Sequence, residues 1–512
     1  MEKDIFADYI RHLHSPDTRI PESEYHVQNP VEPKTTDETL KVLKEISHKL
    51  DRTLAKPAEE ASDEMDLAIV NGTLVLPDCG MLKADLYIRD GKICCVGNNE
   101  KIRAGKVLDA AGKYVCPGII DPHVHLGLFA PMEVDMQSET KAAIMGGITT
   151  IGLFMGGSLS HFSTFPKIEQ QTKRYSYTDI IPHLVISSEE QKNEIQDYIK
   201  YLGVTSFKVY MNGIPGVVPS VNDGFIMDVF DEMRKAGKSC ILCCHTENTH
   251  LVERALKMAK ADYGNEGTID DWEETHPAMA EEEAVMRISY LAKKAEIPVY
   301  MVHVGTKDGV ERLRQIKPFN PYINIETTSP YLSVAGKQRR NALYKMEPPL
   351  RGDEDRDALW KAVKDGVIDT IGTDNVCVTS DEKKPQLPIW DVVPGYSVVQ
   401  THLAAVLTEG VLNRGLDMME VITHMTKRPA EKFGVYPQKG TLLPGSDADI
   451  VIVDMNLEKE VHSLSLASRS DFSIYEGRHL KGWPTTTVKG GQVVMENGVL
   501  TARTPAGNMI KR

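Results

Sequence analysis

Between about residue 117 and residue 440, short apolar runs alternate with amphipathic helical segments, and this alternation most restricts the fold. The runs lie at 118–125, 148–154, 180–187, 206–210, 240–245, 298–303, 322–326 and 367–373, and the stretches between them include helical patterns at 224–235, 279–295 and 353–364. Strands that alternate with helices build parallel sheets. Eight such units in a stretch of this length fit an α/β fold of the (β/α)8 TIM-like barrel type. An open, doubly wound sheet is the alternative, but no glycine-rich dinucleotide fingerprint follows an early run. Residues 66–116 and 441–500 read differently, as short β-runs broken at Asn71-Gly72, Asp90-Gly91, Gly490-Gly491 and Asn497-Gly498. Two β-rich flanks around one long middle suggest a small β-sandwich built from both termini. Residues 501–512 are left as a tail.

Residues 1–65 form an appendage, polar and with prolines at 16, 21, 30, 33 and 57. One helical stripe stands out there: Leu40, Val42, Leu43, Ile46 and Leu50, opened by Thr36-Asp37. An element docked on the body or on a neighbouring subunit, and a loosely held tail, both fit that pattern. The formal charge of −14, from 59 basic and 73 acidic residues, argues against a nucleic-acid partner and shows no basic face for a membrane. No signal-peptide pattern opens the chain, and no run approaches the ~18 apolar residues of a membrane span. Most of the eight cysteines fall inside apolar runs. Cys240 and Cys243 have redox-motif spacing but sit in a strand-like run, so buried thiols in a reducing cytoplasm are expected.

In barrels the chemistry gathers at the carboxyl ends of the strands. Reading those ends in turn gives His123 and His125 on the first run, Lys208 on the fourth and His245 on the fifth, with His303 closing the sixth and Asp374 following the eighth. His123 and His125 are two apart, so they face the same way from a strand. Neutral imidazoles and a carboxylate are good ligands for zinc-like ions. Singly, each of these residues reads as a satisfied core or surface side chain. Together at one rim they are hard to explain as packing.

Their contexts carry a family resemblance. Asp121-Pro-His123-Val-His125, Ser206-Phe-Lys208-Val-Tyr-Met211, Cys244-His245-Thr-Glu247-Asn248, Val302-His303-Val-Gly305 and Gly372-Thr-Asp374-Asn375 occur in that order. With the runs at 428–454 and 475–484, they resemble the metal-dependent cyclic amidohydrolases, in the dihydropyrimidinase and hydantoinase branch, over roughly residues 65–500. The resemblance implies two divalent ions, usually zinc, with Lys208 carboxylated by CO2 to an N6-carboxylysine that bridges them. An ammonium has no lone pair for a cation, whereas a carbamate offers two anionic oxygens. His123, His125 and Asp374 would hold one ion, and His245 and His303 the other. A bridging hydroxide would attack the ring carbonyl, with Asp374 as general acid and base. The implied reaction opens a cyclic amide or imide, a small molecule such as a hydantoin or dihydropyrimidine, to an N-carbamoyl acid, and a homo-oligomer (dimer or tetramer) is expected.

Three substrate-facing positions depart from the branch. Ile180 stands where it has a tyrosine, Glu347 replaces a serine before Pro348-Pro349-Leu350-Arg351, and Asp391 replaces an asparagine ahead of Pro394-Gly395. Two carboxylates facing the ring would favour a substrate rich in N–H donors or carrying positive charge. Two other readings remain: an allantoinase-like or other cyclic ureide hydrolase, and a non-enzymatic scaffold of the collapsin-response type. Scaffolds of that type have lost ligands, and here all six are present.

Overall fold

The computed structural model describes residues 64–98, 102–237, 239–338 and 341–512. Residues 1–63 of the appendage, with the expected helix at Leu40–Leu50, lie outside the described residues, and Glu64 and Met65 already belong to the first flanking strand. The barrel strands are Ile119–His125, Ile148–Met155, Asp179–Val185, Ser206–Tyr210, Ile241–His245, Val299–Met301 and Ile323–Thr328, with an eighth in two pieces, Thr370–Gly372 and Asn375–Val376. All neighbours pair in parallel. Closure comes from the interrupted eighth strand. Its first piece pairs with the seventh strand and its second with the first, Asn375 opposite Val124. The break falls at Asp374, which takes a left-handed backbone (φ 55°).

Local chemistry explains the surrounding helices. In Asp223–Lys235 the Asn222 side chain caps the start by accepting from the Phe225 N–H, and Ile226, Val229, Phe230 and Met233 form the buried face. Burying each such side chain contributes roughly 1.5–3 kcal/mol. The helical pattern at 279–295 is realised as Ala278–Ala295, and that at 353–364 as Asp353–Lys364. The run at 298–303 is strand only over Val299–Met301. His303 lies past its end, again with a left-handed backbone (φ 42°). Among the described residues no helix is long and apolar enough to cross a membrane.

The flanks form two sheets. One is four-stranded and built from the amino-terminal flank alone: Lys92–Val96, Leu86–Arg89, Glu64–Val70 and Arg103–Asp109. The other is seven-stranded and mixes both flanks, with Ile450–Glu460 antiparallel to Tyr114–Pro117. The stretch read as a tail is also engaged. Asn508 and Ile510 flank the start of the third barrel strand, with the Ile180 N–H donating to the Asn508 carbonyl (2.9 Å) and the Ile510 N–H to the Ile180 carbonyl (2.8 Å).

Lys439 ties barrel to sandwich. Its buried ammonium meets Asp179 of the third barrel strand at 2.8 Å, Asp449 at 2.6 Å and Asp447 at 3.1 Å, and Lys489 also reaches Asp179 at 2.8 Å. Burial raises the Asp179 carboxyl, but Lys439 and Lys489 outweigh it and hold the group below its usual range. Lys439→Met leaves buried carboxylates short of a partner and should cost about 3 kcal/mol in urea unfolding at pH 7. A depressed carboxyl stabilises the fold above its unfolded value and loses that contribution as pH falls through the folded one. The gap between wild type and K439M should therefore narrow below about pH 4. A gap that stays constant from pH 7 to 3 would contradict the ion-pair account.

Candidate metal centre

The carboxyl end of the barrel gathers the rim residues. His123 Nε2 lies 3.2 Å from His125 Nε2 and 3.1 Å from Asp374 Oδ1, and His125 Nε2 lies 3.3 Å from the same oxygen. Among the described residues this is the one group of three whose possible ligand atoms all fall within 4.8 Å of one another. The His303 ring stands 5.6 Å from that of His123 and 4.6 Å from that of His245. Lys208 is buried beneath them, its Nζ 4.6 Å from the Phe154 ring centre and 4.8 Å from that of Tyr210. No ion pair to Lys208 occurs among the described residues.

Outer partners aim these ligands. His123 faces Glu326 through Nδ1 (3.2 Å), which leaves Nε2 toward His125 and Asp374. Glu247 faces His245 at Nε2 (3.0 Å), which leaves Nδ1 as the nitrogen able to offer a lone pair. Asp121 accepts from the backbone N–H of His123 (3.2 Å) and of Thr373 (3.0 Å), and from the Thr373 hydroxyl (2.6 Å). One carboxylate thereby fixes the first strand against the eighth at the level of the ligands.

Electrostatics favours cations here. Burial, then Lys208 and His125, holds His123 well below the ordinary imidazole range, and burial, then His245 and Lys208, does the same to His303. Both rings are therefore neutral, with lone pairs available. Burial also lowers Lys208, opposed by Cys243 and Asp374. It pushes Asp121 up to about 7 and Glu326 well above the usual carboxylate range, Asp374 adding to the latter. One Glu326 oxygen, Oε1, has no hydrogen-bond partner among the described residues. Divalent ions beside these acids would restore their charged forms. Neutral imidazoles, a carboxylate and held-back outer acids fit a bound divalent metal.

A cavity of about 510 Å³ opens above the rim, lined by His125, Phe154, Tyr210, Glu347 and Asp374 together with apolar side chains such as Met132. That volume suits a small organic ligand. A hollow of similar size on the small sheet, around Ala68 and Tyr87, contains no imidazole.

Of the three expected pocket departures, the structure brings one to this cavity. Glu347 lines it. Ile180 does not: it is buried at the amino end of the third strand, and Val185 and Ser187, beyond that strand's other end, reach the cavity instead. Asp391 is exposed in its loop. The Lys345 ammonium binds the Ile389 and Trp390 carbonyls (2.7 and 3.1 Å), so the loop turns Asp391 outward and presents Pro394 to the cavity. Sequence reasoning passed over Glu326 and gave Glu247 no role beyond the motif that contains it. Glu326 ended an apolar run, the same signal that marked His245. Glu247 follows His245 by two.

A model of the amidohydrolase family matches residues 114–494, the whole barrel and, of the flanking strands, Tyr114–Pro117, Ile450–Glu460, His479–Lys489 and part of Gln492–Glu496. The chain belongs to the amidohydrolase family. This amidohydrolase is 29% identical to the L-hydantoinase of Paenarthrobacter aurescens over 461 residues, 87% of this chain and 98% of that protein. It is 31% identical to the D-hydantoinase of Ralstonia pickettii, covering 88% and 99%. Among solved structures it is similar to the dihydropyrimidinase from Brevibacillus agri, with a TM-score of 0.81 at 26% identity over 88% of this chain and 99% of that one. The L-hydantoinase (dihydropyrimidinase) from Arthrobacter aurescens gives the same TM-score at 29% identity, over 88% and 100%.

Glu326→Gln removes the charge that orients His123 while keeping its shape. It should weaken divalent-metal affinity about 10–100-fold in chelator competition, with the fold retained by circular dichroism. Unchanged affinity would mean that His123 is held without it.

Proposed function

We propose that this amidohydrolase opens a cyclic amide or imide, hydantoin- or dihydropyrimidine-like, by hydrolysis of a ring C–N bond to an N-carbamoyl acid. The observation that carries the reading is Lys208. Among the described residues it is a buried lysine in no ion pair, close enough to His123 and His303 to act on both, and lying between Phe154 and Tyr210 of the cavity wall. An ammonium there is destabilised, and attack of the neutral amine on CO2 gives a carbamate and a proton. That exchange turns an unpaired cation into a two-oxygen ligand. The relatives named as hydantoinases and dihydropyrimidinases support the substrate class.

In this reading His123, His125 and Asp374 would hold one divalent ion, His245 through Nδ1 and His303 would hold the other, and a carboxylated Lys208 would supply anionic oxygens to the pair. Zinc suits these donors. Bound there, the ions would polarise the ring carbonyl and acidify a water. Asp374 lies at the cavity wall within reach of His123 and His125. Its free oxygen can take a proton and return it to the departing ring nitrogen. Phe154 and Tyr210 cover Lys208 and keep bulk water from it. Buried thiols at Cys116, Cys243, Cys244 and Cys377 accord with a reducing cytoplasm, and a homo-oligomer is part of this proposal.

The zinc-loaded protein should hydrolyse hydantoin or dihydrouracil to the N-carbamoyl acid, with allantoin in the same panel testing the ureide alternative. Lys208→Ala should lower turnover more than about 100-fold, beyond the loss expected from an outer partner. Short carboxylic acids in solution should restore part of it. No turnover of any cyclic amide by zinc-loaded protein would favour the scaffold reading.

A further inference from the structure

Resting on the reading of the rim as a cyclic-amide hydrolase site, we propose that Glu347 selects substrates whose ring substituent presents N–H donors, as an ammonium or a ureido group does. Its backbone is fixed from both sides. The Trp272 indole N–H donates to the Met346 carbonyl (2.9 Å) and the Tyr331 hydroxyl to the Pro348 carbonyl (2.8 Å). The side chain thus stands on a rigid platform facing the cavity.

No hydrogen bond from the described residues reaches that carboxylate. Its neighbours are His276, whose Nε2 lies 3.7 Å away, beyond hydrogen-bond reach, and the Lys345 ammonium, which acts on it through space while its own hydrogen bonds go to the Ile389 and Trp390 carbonyls. The His276 ring is itself anchored. The Thr275 hydroxyl donates to the Trp272 carbonyl (2.7 Å) and so accepts from His276 Nδ1 (2.7 Å). His276 Nε2 has no hydrogen-bond partner among the described residues. The carboxylate therefore meets the cavity with acceptor capacity unfilled, beside an apolar wall that includes Met132, Ile168, Val217 and Met346. Asp374, the other acid on the wall, belongs to the metal group, whose ions would cancel its charge. Glu347 lies outside that group.

A carboxylate held in a largely apolar cavity gains from any donor a guest supplies and penalises a guest that brings only carbons or carbonyl oxygens. Charge-assisted hydrogen bonds of this kind correspond to about 10–100-fold in affinity. An exposed rim acid would not discriminate in this way, because water would satisfy it.

The test uses zinc-loaded full-length protein and three hydantoins of matched length, substituted at C5 with an aminoalkyl, a ureidoalkyl or a plain alkyl arm. Both kcat/KM and calorimetric affinity are measured for wild type and E347Q. Wild type should prefer the two donor-bearing arms over alkyl by about 10–100-fold in both measures. E347Q, which keeps the shape and loses the charge, should bring the ranking toward parity. Loss confined to the aminoalkyl arm identifies a cation as the favoured guest, and equal loss on both identifies a neutral donor. If the hydantoins are hydrolysed but the ranking is flat, or unaltered by E347Q, the inference falls and the hydrolase reading stands. If none is hydrolysed while the affinity ranking depends on Glu347, the hydrolase reading falls and the selectivity stands.

Discussion

The barrel closes through a strand that breaks at the residue proposed to do the chemistry. Thr370–Gly372 completes the pairing with the seventh strand, and Asn375–Val376 pairs with the first. The step between them places Asp374 against His123 and His125. Asp121 locks the junction by accepting from Thr373 and His123 together. Loss of closure would therefore separate the three ligand atoms as well as the two strands. Fold and site share one set of hydrogen bonds.

Burial does the rest. Around the rim it holds His123 and His303 neutral, lowers Lys208 against the opposing pull of Asp374 and Glu326, and pushes Asp121 and Glu326 toward their protonated forms. Neutral imidazoles are ready ligands, and acids that burial makes unfavourable as anions would regain their charge beside a divalent ion. Metal affinity and folding are thus linked, with the outer acids Glu326 and Glu247 fixing which nitrogen of each imidazole is presented.

Much of this was legible in the sequence because strand periodicity and barrel topology together dictate where run-terminal side chains go. Lys208 and His245 follow from that rule directly, on the strands Ser206–Tyr210 and Ile241–His245. His303 follows only loosely, since its strand stops at Met301 and a left-handed turn carries it to the rim. The rule says nothing about outer partners, so Glu247 and the distant His276 were given no role. Ile180 was misplaced because one apolar residue in a fully buried strand looks like another, and only pairing shows which end faces the cavity. Asp391 sits in a loop, where no periodicity sets direction. Its orientation depends on Lys345, an interaction between residues too far apart in sequence to be read from local pattern.

The central claim is that Lys208 joins two ions at this rim. Anomalous diffraction at the zinc edge, from crystals of zinc-loaded protein grown with bicarbonate, tests it most directly. The account predicts two anomalous peaks, one among His123, His125 and Asp374 and one at His245 and His303, with carbamate density running from Lys208 Nζ to both. A single peak, with Lys208 remaining a bare amine between Phe154 and Tyr210, would contradict it.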